Sequence, residues 1–172
     1  MTIADLAQIA FRLKSTDRAG WLRVGVDHPE SVAAHSWGMA LLALAVCPRH
    51  LDRERVLALC ILHDVAEAII GDITPHDGVS RQDKRDRERS AAATLLGAHP
   101  ELWGLWEDYE QQRTDEAKLV KQLDRLDMGL QAQLYAEVAE TAEFTESALR
   151  GIDDPALRAL LRPRPAADRR SD

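Results

Sequence analysis

Apolar residues return at intervals of three and four along nearly the whole chain, and the two-residue alternation of strands is almost absent. Leu6, Ile9, Ala10 and Leu13 mark one face of a first helix over residues 4–14. A long loop follows over 15–30, punctuated by Gly20, Gly25 and Pro29. Ser31 is an N-cap for a second helix reaching about Val46, with Pro48 just beyond its end. Asp52 caps a third helix that runs to Ile70, where Gly71 stops it, and residues 71–75 form a loop. Ser80, with Asp83 three residues on as an acidic variant of the capping box, opens a helix that ends near Gly97. Pro100 suits the first turn of a short helix carrying Leu102, Trp103, Leu105, Trp106 and Tyr109. Asp115 caps a long helix through Leu119, Leu123, Leu126, Leu130 and Leu134, and one or two short helices close the fold. The expectation is one all-α domain over residues 1–161. Residues 162–172, with Pro163, Pro165, Arg169 and Arg170, read as a disordered tail.

Composition narrows the partners. A formal net charge of −7 argues against broad, charge-driven binding of DNA or RNA. It leaves room for a single nucleotide held by a few aimed side chains. Cys47 and Cys60 are too few for a disulfide framework and lack metal-site spacing, so they belong reduced in the core. Asp5 sits early in an N-terminus without a signal-like apolar run, and the apolar stretch 39–46 is too short to span a bilayer. A cytoplasmic protein with no membrane partner is the expectation.

Three polar intrusions interrupt the apolar pattern. His63 and Asp64 stand side by side in Cys60-Ile61-Leu62-His63-Asp64-Val65, with Glu67 one turn on and Asp72 past the helix end. His35 lies in an Ala/Leu-rich helix, and Asp124 and Asp127 lie on the long one. Each has an ordinary reading alone: a half-exposed stripe, a satisfied core histidine, and carboxylates paired with Arg125, Lys121 or Arg85. As a set, two imidazoles and two carboxylates from three helices suit a borderline divalent cation with positions left for water and a phosphate oxygen.

Four blocks then fall in order: Arg18-Ala19-Gly20-Trp21, Pro29 to Ser36, His63 to Pro75, and Lys121 to Met128. Together they resemble the H…HD…D signature of the HD-domain metal-dependent phosphohydrolases, in their 5′-deoxynucleotidase branch. The resemblance implies an HD-domain helical bundle of about six to eight helices and a divalent metal (Mn, Co, Fe(II) or Mg) held by His35, His63, Asp64 and Asp124. It implies Glu67 and Asp72 flanking the phosphate and carrying out proton transfer, or helping to hold a second ion; Glu67 serving the attacking water and Asp72 the leaving group or the positioning of water is the favoured division. Arg18 would grip the phosphate, Trp21 would pack on the sugar near C2′, and Thr74 would join the substrate contacts. Arg18 as a surface residue, Trp21 as a core plug and Thr74 as a turn cap are the plainer alternatives. Asp127 is the rival of Asp124 as distal ligand. Trp37, Trp103 and Trp106 are expected to pack in the core, and the charged run 81–89 to be a solvated face.

The implied reaction converts deoxyribonucleoside 5′-monophosphates to deoxynucleoside and phosphate, in a homodimer. An indole wall leaves a 2′-hydroxyl unpaired, a penalty of about 1–3 kcal/mol in favour of deoxyribose. Two alternatives stand beside it: hydrolysis of another small phosphate monoester or modified nucleotide, and a non-catalytic module that binds metal and nucleotide.

Overall fold

The structure is a computed structural model and describes residues 2–162. Among these lie ten helical segments: α1 Ile3–Ser15, α2 Ala19–Arg23, α3 Val32–Val46, α4 Arg53–Leu62, α5 Glu67–Ile70, α6 Arg81–Leu96, α7 Pro100–Glu110, α8 Asp115–Tyr135, α9 Ala142–Gly151 and α10 Pro155–Leu160. The all-α expectation holds. Among the described residues the one isolated β-bridge joins Asp17 and Ser31 in antiparallel fashion. The expected disordered tail falls outside the described residues from 163 onward.

Helix starts follow cap chemistry. Ser31 Oγ accepts from the Ala34 N–H at 3.2 Å, and Asp52 Oδ1 from the Arg55 N–H at 3.2 Å. Ser80 Oγ accepts from the Asp83 N–H and donates to the Asp83 carboxylate at 2.7 Å. The long helix is a correction: its cap is Thr114, whose Oγ1 accepts from the Ala117 N–H at 3.2 Å. Asp115 thereby moves into the first turn, where its charge favours the positive end of the helix dipole.

Two further differences raise the number of helical segments above the expected six to eight. The loop over 15–30 contains the short helix α2, which ends where Gly25 takes φ +85°. The helix expected from Asp52 to Ile70 breaks after Leu62. Through the break the N–H groups of Val65, Glu67 and Ala68 reach back three residues, to Leu62, Asp64 and Val65. These tight 3₁₀-type turns keep residues at three-residue spacing on one face, so the apolar rhythm runs on while the helix axis does not.

The main core is built where α3, α4 and α8 meet, from Met39, Ala43, Val56, Leu59, Val120, Leu123 and Leu126. Ala148, Ile152 and Leu161 extend it under α9 and α10. Gly129 makes that approach possible: a Cβ there would stand 2.8 Å from both Ala148 Cβ and Leu161 Cδ2. A second cluster seals α1, α5, α6 and α7 around Leu13, Val65, Ala92, Leu96 and Trp106. A third holds Trp21 and Val26 against Ala132, Tyr135 and Phe144. Of the tryptophans expected to pack, Trp106 is buried and Trp103 half-buried, but Trp37 is 69% exposed, because it points off the outer face of α3. Among the described residues no helix is long and apolar enough to cross a membrane.

Candidate active site

The three intrusions meet at one end of the main core. His35 is fully buried in α3, His63 caps α4, and Asp64 follows in the 3₁₀ turn. From α8, Asp124 and Asp127, one turn apart, face His35. His63 Nδ1 donates to the Cys60 carbonyl at 2.9 Å. His35 Nδ1 lies 2.7 Å from Asp127 Oδ2. With both Nδ1 atoms engaged, both Nε2 atoms are left to act, and both are buried with no hydrogen-bond partner. His63 Nε2 lies 2.9 Å from Asp64 Oδ2, and His35 Nε2 lies 3.4 Å from Asp124 Oδ1.

Donor atoms of His35, His63 and Asp64 all lie within 4.8 Å of one another. Asp124 adjoins this group through His35. Two orphaned, buried imidazole nitrogens flanked by carboxylates fit a divalent cation: imidazole lone pairs oriented by a carbonyl and a carboxylate on the far side of each ring are what such an ion requires. Asp127 therefore stands behind His35, on its Nδ1. Room for it comes from Gly38, where a Cβ would lie 2.5 Å from Asp127 Oδ1.

Electrostatics express the same concentration of charge. Burial and the Arg18 charge oppose protonation of His35, yet the Asp124 and Asp127 carboxylates beside it push it up to about 9. A divalent ion held at Nε2 would take the place of a proton there. Against the cost of burial, His63 and Arg18 hold Asp64 well below the usual carboxylate range, and Lys121 and His35 do the same for Asp124. Glu67 behaves oppositely: burial, Asp64 and Asp72 push it up to about 10, and its Oε2 is buried without a partner.

The site opens into a cleft of about 410 Å³. Arg18, Trp21, Glu67, Asp72 and Thr74 line it together with His63, Asp64 and Asp124. Arg18 Nη1 reaches Asp64 Oδ2 at 3.3 Å. Burial works against its charge, but Asp64, Asp72 and Asp124 keep it ionised. Asp72 Oδ2 accepts the Ala19 N–H at 2.8 Å, which ties the Arg18 loop to the segment beyond α5. Trp21 is 2% exposed and belongs largely to the third core cluster, with part of the indole on the cleft wall. Thr74 does cap a turn, its N–H and Oγ1 both reaching Asp77 Oδ2, at 2.6 and 3.0 Å.

Sequence reasoning missed Tyr109 and Lys121 as parts of the cleft. Lys121 Nζ donates to Tyr109 Oη at 3.0 Å and to Asp124 Oδ2 at 3.2 Å, and the Tyr109 ring meets His63 edge-on with centroids 5.3 Å apart. The usable signal for Lys121 was its three-residue spacing from Asp124. Tyr109 gave none, since an aromatic on an apolar helix face reads as core. The charged run is only partly solvent-facing: Lys84 Nζ donates to the Ile73 carbonyl, and Lys84 and Glu88 line the cleft.

The chain is similar to known proteins over most of its length. A family model described as the HD domain matches residues 10–159. The 5′-deoxynucleotidase HDDC2 of Bos taurus is 44% identical over 141 residues, covering 79% of this chain and 69% of the relative. The protein of the same name from Danio rerio is 41% identical, covering 74% of this chain and 66% of the relative. The chain thus spans about two thirds of the length of these relatives. Among solved structures, a protein from Pyrococcus horikoshii OT3 is similar with a TM-score of 0.78 and 34% identity, over 93% of this chain and 94% of that one.

Proposed function

The chain belongs to the HD-domain family, and from that premise we propose that it is a metal-dependent 5′-deoxynucleotidase. It converts deoxyribonucleoside 5′-monophosphates to deoxynucleoside and phosphate. The observation that carries this reading is the pair of buried, partnerless Nε2 atoms of His35 and His63, set among Asp64 and Asp124 at a cleft that also holds Arg18. The names of the relatives supply the substrate class.

His35, His63, Asp64 and Asp124 would hold one divalent ion: Mn, Co, Fe(II) or Mg. A bound cation supplies charge neutralisation at the phosphate and lowers the pKa of a coordinated water. The chain's own residues do the rest. Arg18 grips two phosphate oxygens with its planar fork, and its ionisation is secured by the surrounding carboxylates. Glu67 would orient and deprotonate the attacking water once bound positive charge offsets the burial and the Asp64 and Asp72 charges that otherwise keep its proton on. Asp72 gives a proton to the departing 5′-oxygen as the phosphorus–oxygen bond breaks. Trp21 borders the sugar and Thr74 the cleft floor.

A homodimer is part of the same proposal. It is supported by Trp37, Leu41 and Leu44, exposed at 69%, 52% and 51% on one stripe of α3. A reduced, cytoplasmic setting is supported by two buried free cysteines, Cys47 and Cys60.

The deciding experiment is a matrix of cations against nucleotides. Phosphate release with Mn or Co is expected from dAMP, dGMP and dTMP faster than from AMP. No release from any nucleotide with any of these cations sinks the proposal.

A further inference from the structure

Trp21 has one polar atom, and it is turned away from the cleft. Its Nε1–H donates to Glu30 Oε1 at 3.0 Å, while the indole lines the cleft and Glu30 stands behind it, off the cleft wall. Glu30 is itself fixed from several sides. Its N–H donates to Tyr135 Oη at 2.9 Å, and its carbonyl accepts the Arg18 N–H at 3.1 Å. Its carboxylate shares a cluster with His35 and Asp127, donor atoms within 4.8 Å of one another. The indole is clamped as well, edge-on to Tyr135 at 5.3 Å between centroids and against Phe144 at 4.3 Å.

This arrangement decides what the wall can offer a sugar. A buried indole N–H needs an acceptor. With the acceptor behind the ring, the wall presents carbon and a ribose 2′-hydroxyl finds neither donor nor acceptor there. With the acceptor removed, the indole N–H is orphaned, and the cleft, with its water and any sugar hydroxyl, is where a partner can be found.

We propose that Glu30 is a positioning residue for sugar selectivity: by holding the Trp21 N–H behind the ring, it makes the wall of the cleft hostile to a 2′-hydroxyl. This rests on the 5′-deoxynucleotidase reading.

The test is kcat and KM for dAMP and AMP with the Mn-loaded wild type, Glu30→Gln and Glu30→Leu, alongside the indole N–H resonance of Trp21 in the same proteins free of Mn, assigned through Trp21→Phe. The glutamine oxygen can still accept the indole proton, so Glu30→Gln retains the dAMP/AMP ratio of kcat/KM and the resonance position. Glu30→Leu moves the resonance upfield and lowers the ratio roughly tenfold, about one hydrogen bond, mainly through a smaller KM for AMP. Glu30→Met serves in its place if the leucine variant does not fold. An equal loss with both sugars would show a merely structural role and overturn the inference. So would a ratio lost in Glu30→Gln as fully as in Glu30→Leu, or a wild type with no sugar preference. A wild type inactive on every nucleotide overturns the function and the inference with it, whereas an active one whose ratio ignores Glu30 overturns the inference alone.

Discussion

His35 owes its free Nε2 to Asp127. Nδ1 lies 2.7 Å from Asp127 Oδ2, and this fixes ring orientation and places basicity on the opposite nitrogen. Asp127→Ala is therefore expected to weaken Mn(II) binding about 10- to 100-fold by calorimetry, with Asp127→Asn weaker by less. Unchanged affinity in Asp127→Ala would remove the orienting role. Glu67 supports a prediction of a different kind. Its carboxyl is pushed from 4.5 up to about 10, so in the cation-free protein the folded state holds a proton that the unfolded state releases. Between those values the folded state binds more protons, and stability falls as pH rises. Glu67→Gln, always neutral, escapes that loss. With metal stripped by chelator, its melting temperature is expected to match wild type near pH 4.5 and exceed it by a margin that grows toward pH 9. A margin independent of pH would contradict this. Neither residue's surroundings were legible in the sequence. Asp127 and Asp124 share a helix face, so spacing alone could not say which stands in front of His35 and which behind.

Most elements were readable because caps are local chemistry. Ser31, Asp52 and Ser80 each bond the N–H three residues on, and that depends on nothing distant. The break after Leu62 was not readable, because 3₁₀ turns preserve the apolar rhythm that marks a continuous helix. The break holds Asp64 beside His63, and Glu67 opens the short α5 that follows it. α5 ends at Gly71, with φ +74° and ψ 173°, a conformation essentially confined to glycine. A Cβ there would meet nothing within 4 Å, so the cost of Gly71→Ala is purely one of backbone. It is expected at about 1–3 kcal/mol, a fall in melting temperature of roughly 2–10 °C for a chain this size. Because Asp72 is the next residue, activity should fall further than stability. A variant with wild-type melting and wild-type rate would show that the segment tolerates another path.

At the scale of the molecule, the periodicity of the chain announced helices, but which surfaces they would present was hidden. Trp37 shows the limit: apolar character predicts burial, yet on α3 the inner face is already occupied by Val32, His35, Met39 and Ala43. The cleft was hidden for a related reason. Its walls come from α2, the α4–α5 turn, α6, α7, α8 and α9, and no local pattern reports that Arg18, Tyr109 and Phe144 border one space.

The bond between His35 and Asp127 spans 92 positions of the chain. A feature so non-local has a kinetic meaning. No early, partly folded chain can offer a cation the site, since α3, α4 and α8 must dock before the donors meet. An ion that binds only the finished fold leaves the refolding rate alone and slows unfolding instead. In stopped-flow denaturant jumps, added Mn(II) should lower the unfolding limb and leave the refolding limb where it was. Faster refolding with the ion would mean that the donors assemble before the rest of the fold. As the chain emerges during synthesis, the ion comes last, as a lock on a finished structure.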